Sequence, residues 1–315
     1  MINIDNLTEI KIPCIAVPKH KQMWFSEIAI TLKEALYELD LIYEIKYVDT
    51  KQKLDSNFHY VYCIEEFQYD KLPDTPFICL QFEQLEARLP MVSEEYKMDL
   101  FNKFKKCYQI WDYSTRNVNY MKEIPELKNK YIFVPYGYSS NMEYKHKGKF
   151  DIEIYQPLFY GNVGKRRKEI LDKLGYKLNI LVCNNNLWNN IDPSIGELTQ
   201  LKNEMLWKFK ICINIKYGEA GEESNTSLET CRILPMIANR CLVISEYSGD
   251  KVINKKLNPH VVFCKNTTEI EEKCRFYMNP INKDILDTRI NNAYKWLINY
   301  KYSKHISELT KFKYL

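Results

Sequence analysis

Short apolar runs alternate with amphipathic stretches along nearly the whole chain, and this alternation limits the fold more than any other feature of the sequence. "IKIPCIAV" reads as a strand. It is followed by a helix over Met23–Leu39 with Trp24, Ile28, Leu32, Leu36 and Leu39 on one face. "LIYEIKYV", "FHYVYCI", "PFICLQF", "CYQIW" and "YIFVPY" are the next strands, with helices at Tyr96–Lys105 and over "STRNVNYMKEI". Residues 138–153 are polar and carry no period, so they read as a linker. A second series then begins at "IYQPLFYG". It holds helices at 165–174, 196–207, 227–239 and 268–278 and strands "YKLNILV", "KICINI", "CLVIS" and "HVVFC". Strand and helix in strict turn imply parallel sheets covered by helices on both faces. The expected fold class is α/β, with two Rossmann-like doubly wound domains facing each other across a cleft. The expected bounds are 1–140, 141–282, and a helical tail 283–315 that packs back on the first domain.

Composition adds exclusions. The chain has 315 residues, 45% hydrophobic and 27% charged, enough to build a sizeable core. A net charge of +4 suits an anionic small ligand and falls short of a nucleic-acid binder, and the basic residues form no stripe interleaved with aromatics. The N-terminus has neither a basic n-region nor an apolar h-region, and no run approaches the ~20 apolar residues that span a bilayer. A cytoplasmic protein is therefore expected. Ten cysteines sit mostly inside strand-like runs with no C-x-x-C pair, so reduced core cysteines are expected, with no zinc and no structural disulfide.

The chemistry gathers at "FYGNVGKRRKEIL", residues 159–171. A strand runs into a turn with Gly161 and Gly164, then into a helix whose first turn carries Lys165, Arg166 and Arg167. This is neither G-x-x-x-x-G-K-[ST] nor G-x-G-x-x-G, which disfavours a P-loop NTPase or a dinucleotide enzyme. What it does offer is a helix N-terminus and cations for a phosphate. Cations there oppose the helix dipole, so three together call for a compensating anion; the competing reading is a solvated basic turn. The second anchor is residues 218–246. Thr226-Ser227-Leu228-Glu229 matches the T-x-x-E capping box, which predicts that Glu229 simply satisfies the Thr226 backbone N–H. Arg232 follows one turn later.

With "SLETCRILPMIANRCLVISE" after a glycine turn rich in arginine, the second half resembles GT-B glycosyltransferases, in particular the group with an LE-x-x-R-I helix and a V-I-S-E strand. "QFEQLEARLP" (81–90) and "IWDYSTRNVNYM" (110–121) resemble the first half of that group. The resemblance implies a hexosyl- or pentosyltransferase. It would take a sugar from a nucleotide-diphosphate sugar to a hydroxyl acceptor (glycan, protein or small molecule), with the donor held by the C-terminal domain and the acceptor by the N-terminal one. The donor is then a substrate and no cofactor is expected. Asp-x-Asp is absent, which argues against a metal-dependent GT-A enzyme. Two departures stand out. E-x7-E is absent in register: Gly221 lies eight residues before Glu229, and Thr230 eight after Glu222. Asn239 stands where many members carry glycine.

The candidate donor residues are therefore Gly161, Gly164, Lys165, Arg166, Arg232, Asn225, Thr226, Ser227 and Glu229, the last as a ribose ligand if it is not a cap. Glu83 and His20, each just past a strand, are the candidate acceptor-side bases, with Asp112 behind them. Tyr136, Tyr160 and Trp188 are candidates to stack on a base or sugar. Two other functions fit the same pattern: a catalytically inactive nucleotide-sugar-binding or scaffold protein, and a GT-B-fold nucleotide-sugar epimerase.

Overall fold

The computed structural model describes residues 12–145, 152–183, 195–218 and 220–310. The Trp24 side chain and all of Trp188 lie outside the described residues. The first parallel sheet contains β1 (Cys14–Pro18), β2 (Glu44–Val48), β3 (Phe58–Tyr62), β4 (Ile78–Gln81), β5 (Gln109–Asp112) and β6 (Tyr131–Phe133), in the order β2-β1-β3-β4-β5-β6. Its helices are α1 (Gln22–Tyr37), α2 (Leu85–Arg88), α3 (Glu94–Lys106) and α4 (Thr115–Lys122).

The second parallel sheet contains β7 (Leu158–Tyr160), β8 (Leu181–Cys183), β9 (Ile211–Asn214), β10 (Leu242–Glu246) and β11 (Val262–Cys264), in the order β11-β10-β9-β7-β8. Around it lie α5 (Lys165–Leu178), α6 (Ile195–Lys208), α7 (Thr230–Ala238), α8 (Lys251–Leu257), α9 (Thr267–Met278) and α10 (Lys283–Leu297); α11 (Tyr302–Thr310) ends the described chain. The α/β class expected from the alternation is the one observed.

Three buried clusters follow from this layering. One lies on the outer face of the first sheet and includes Phe104 of α3 and Met121 of α4, and one on the outer face of the second includes Leu171 of α5 and Ile270 of α9. The largest joins the two halves, from Ile15 and Leu32 through Leu158 and Ile237 to Tyr302. The crossing segment is held by polar bonds as well. Glu34 of α1 accepts from the Ser139 hydroxyl at 2.7 Å and from the Asn141 N–H at 2.9 Å. Asn239 accepts from the Tyr144 N–H at 2.8 Å and donates to the Met142 carbonyl at 2.7 Å. Its own φ is −95°, and the neighbouring Arg240 takes the left-handed turn at φ 61°, so this corner uses an amide clamp rather than a glycine. Beyond α10 the chain returns to α1: the Tyr302 N–H donates to the Tyr138 carbonyl at 3.0 Å, and the Ser303 hydroxyl donates to Glu38 at 2.6 Å.

Two expected elements take different bounds, and the short helices α2 and α8 were not expected. The strand expected over "YKLNILV" begins late, because α5 runs on through its first three residues to Leu178 and stops only where Asn179 turns left-handed at φ 51°. Only Leu181–Cys183 pairs with β7. The helix expected at 227–239 begins at Thr230, for a reason set by Glu229.

Both sheets reverse strand order beside their first strand, between β1 and β3 and between β7 and β9. Such switch points open a crevice at the carboxyl ends of the strands, where ligands of open α/β sheets bind.

Candidate functional site

At the second switch point the loops after β7 and β9 face each other. Gly161 leaves β7 with φ +132°, and a Cβ built there would meet the Arg232 guanidinium at 3.1 Å, so only glycine fits. Gly164 caps α5, whose first turn carries the three cations. Two of them already have anions from the chain itself. Arg166 forks onto Glu246, at 2.9 and 2.5 Å, and also donates to the Lys216 carbonyl at 2.9 Å. Arg167 is buried; it donates to the carbonyls of Ile215 and Asn162 at 2.8 and 2.9 Å and to both Glu229 oxygens at 3.1 Å. Lys165 is exposed and has no ion pair among the described residues. The anion demanded by a basic first turn is thus supplied in part by Glu229 and Glu246.

The capping-box reading of Glu229 is corrected here. Glu229 is itself the N-cap residue of α7 and makes no side-chain cap bond. Its carboxylate faces Arg167 and Arg232 instead, and charge-assisted bonds to two guanidiniums outweigh one backbone N–H. Burial works to raise the Glu229 pKa, but Arg232 and Arg167 overcome it and hold the carboxyl at about 2. Burial and the neighbouring Arg232 bring Arg167 down to about 10, still charged at neutral pH. Arg232 also donates to the Tyr160 carbonyl at 2.6 Å, while its Nε–H, buried against Gly161, has no partner among the described residues.

Lys216, two residues past β9, escaped the sequence reading. It is one of the most buried large side chains, at 1% exposure, and its ammonium donates to the Ser227 carbonyl. Burial pulls its pKa down to about 7 against the opposing pull of Glu229, Glu246 and Asp250. The available signal was a lysine directly behind the apolar run "KICINI", at a strand's carboxyl end. Of the remaining donor candidates, Ser227 and Thr226 are buried and bonded to Ser114 and Ser224, whereas Asn225 is exposed.

Gly161, Arg166, Glu229, Arg232 and Ser227 therefore come together, joined by Arg167, Lys216 and Glu246. Arg166, Arg167, Arg232 and Lys216, the last only partly charged at neutral pH, stand among the carboxylates of Glu229, Glu246 and Asp250, with the exposed Lys165 in the same first turn as Arg166. Asp250 is in addition bonded to Thr115. The site keeps a positive excess and one buried, unused donor.

The first switch point is looser. His20, 52% exposed, meets Glu66 at 3.0 Å, and Lys21 meets the same carboxylate at 3.0 Å. Glu83 lies past β4 with Arg88 at 3.9 Å. Glu65 and Glu66, not singled out from the sequence, stand nearby; burial, aided by Glu83, pushes Glu65 up to about 7 against the pull of its own backbone N–H. Asp112 is no candidate base: it is wholly buried, accepting from Ser114 N at 2.8 Å and from Asn117 Nδ2 at 3.1 Å. Tyr136 and Tyr160 are buried too, their hydroxyls donating to Thr31 and to the Arg232 carbonyl, so neither ring stands open for stacking.

No protein-family model matches the sequence. A search of curated proteins likewise returned no match. Solved structures do match. The glycosyltransferase WaaG, involved in lipopolysaccharide biosynthesis, aligns over 96% of this chain and 100% of its own at 10% identity and a TM-score of 0.55. HepE of Anabaena, solved with UDP and glucose, aligns over 96% and 100% at 7% identity and 0.58. Sucrose-phosphate synthase of Thermosynechococcus elongatus aligns over 96% and 98% at 9% identity and 0.53. With two parallel sheets facing each other and nearly the full length of these proteins matched, the chain has the GT-B glycosyltransferase fold.

Proposed function

We propose that the chain is a glycosyltransferase that moves a sugar from a nucleotide-diphosphate sugar to a hydroxyl acceptor without a metal. The observation that carries this reading is the positive excess at the second switch point, where the Arg232 guanidinium packs against Gly161 and its buried Nε–H has no hydrogen-bond partner among the described residues. A diphosphate supplies the missing anion. Lys165, Arg166 and Arg232 bind it together with the α5 N-terminus, and their charge stabilises it most as it leaves. In this reading residues 141–282 hold the donor and 1–140 the acceptor. The acceptor hydroxyl forms the new bond to the anomeric carbon, the carbon–oxygen bond to the diphosphate breaks, and Glu83 takes the hydroxyl proton. His20 is second as base, since it is already paired with Glu66.

A catalytically inactive sugar-nucleotide binder is the second reading. It is favoured by Glu229, which is locked between two arginines and has no carboxylate eight residues before it. Incubation with UDP-, GDP- and dTDP-sugars and an acceptor panel separates the possibilities. Release of nucleoside diphosphate with sugar on the acceptor supports transfer. Binding without release supports the inactive binder, and isomerised donor with no release supports an epimerase.

A further inference from the structure

One buried chain of hydrogen bonds joins the two switch points. On the first sheet's side, Asn117 Nδ2 donates to the Glu83 carbonyl at 2.7 Å, and the Asn117 N–H donates to Ser114 Oγ at 3.2 Å. Ser114 Oγ bonds Ser227 Oγ across the two halves, and the Ser227 carbonyl accepts from the Lys216 ammonium. The Lys216 N–H donates to Glu246 at 2.9 Å, and Glu246 holds Arg166. Lys216, Ser114, Ser227 and Asn117 are all at 1% exposure or less, and Glu246 is at 4%. A parallel set of contacts keeps the same surfaces in register. The Thr115 N–H and hydroxyl donate to Asp250 at 3.0 and 2.7 Å, Arg116 donates to the Gly249 carbonyl at 3.0 Å, and the Gly249 N–H donates to the Thr226 carbonyl at 2.9 Å. Gly249 admits no side chain, because a Cβ there would lie 1.7 Å from the Ser224 carbonyl oxygen.

Resting on the phosphate site proposed above, we infer that Ser114 and Lys216 are positioning residues that tie the backbone carrying Glu83 to the carboxylate holding Arg166, so that filling the phosphate site orders the acceptor side. An anion that engages Arg166 draws the guanidinium away from Glu246. The released carboxylate, still bonded to the Lys216 backbone N–H, acts on the nearby ammonium through its charge and favours the charged form. A charged ammonium is the stronger donor to the Ser227 carbonyl. The tightened loop holds Ser114, and with it the first turn of α4 and Asn117. Lys216 has no contact with Glu83 and acts only through this chain.

The test is hydrogen–deuterium exchange of the full chain with and without inorganic pyrophosphate. In the wild type, pyrophosphate slows exchange severalfold in residues 158–171 and also in 113–118. Lys216→Met keeps the side chain's volume but takes the donor from the Ser227 carbonyl, so its fold is checked first by circular dichroism, with Ser114→Ala as the variant that leaves Lys216 in place; folded Lys216→Met keeps the first protection and loses the second. Ser114→Ala loses it as well, and Ser114→Thr, which keeps both the hydroxyl and the helix cap, regains it. Protection of 113–118 that persists in Lys216→Met and Ser114→Ala overturns the inference, as does its absence in a wild type protected at 158–171. If pyrophosphate protects neither segment, the phosphate site itself is wrong and the inference falls with it.

Discussion

The two switch points share a topology and differ in construction. At the second, Arg166, Arg167, Glu229 and Lys216 are mostly buried, and each makes several bonds. At the first, His20, Lys21, Glu66, Glu83 and Arg88 sit partly in solvent, and their ion pairs are simple ones. A buried, multiply bonded charge array is expensive to desolvate and holds its geometry once built. A site built this way suits a ligand that is always the same, such as a diphosphate. The looser edge suits a partner recognised by other means.

The largest expected effect is on stability, and it separates the two edges. Glu229→Gln leaves Arg167 buried with its main counter-charge gone, and should cost about 3–5 kcal/mol in chemical denaturation. Glu83→Gln, at an edge 38% exposed, should change stability by no more than about 0.5 kcal/mol while lowering transfer. Equal losses in both variants would erase the contrast between the two edges.

The next effect is on turnover. Arg232→Lys keeps a cation beside Glu229 but loses the fork, and should lower kcat/KM for the sugar nucleotide by roughly 30- to 1000-fold, the equivalent of about 2–4 kcal/mol. Arg232→Ala should in addition lower stability, because Arg232 also neutralises Glu229. A kcat/KM unchanged in Arg232→Lys would remove Arg232 from the donor site.

Smaller, but specific in sign, are the pH effects. The Glu229 carboxyl is held at about 2, below its unfolded value, so its contribution is present above about pH 4.5 and is lost as pH falls toward 2. Lys216, depressed to about 7, shifts stability in the same direction at higher pH, by relief of a burial cost rather than by gain of an ion pair. Between about pH 7 and 10.5 the unfolded chain binds the extra proton, so native stability rises with pH across that window. Lys216→Met should flatten this rise, as urea midpoints at pH 7 and 9.5 would show. A parallel pH dependence in wild type and variant would contradict a buried, depressed Lys216.

Much of the fold was legible in the sequence because strand and helix periods are local, as was the glycine turn at Gly161. Glu229 was misread because T-x-x-E is a local pattern, while its actual partner Arg167 lies 62 residues away in sequence. Helix α8 was missed because it is short; its cue, Asp250 as N-cap, is visible only as a Ser-Gly-Asp turn. Asn239 departs from glycine for a nonlocal reason too, its amide clamping Met142 and Tyr144 from 95 residues and more upstream. Lys216 and Ser114 became meaningful only once the two sheets were placed face to face.

The most direct test is titration calorimetry of the wild type, Arg166→Ala and Arg232→Lys with UDP-, GDP- and dTDP-sugars. At least one donor should bind the wild type in a salt-sensitive manner and bind each variant at least tenfold more weakly. Wild-type affinity in both variants, or no binding of any sugar nucleotide to the wild type, would contradict a diphosphate site at Gly161, Arg166 and Arg232.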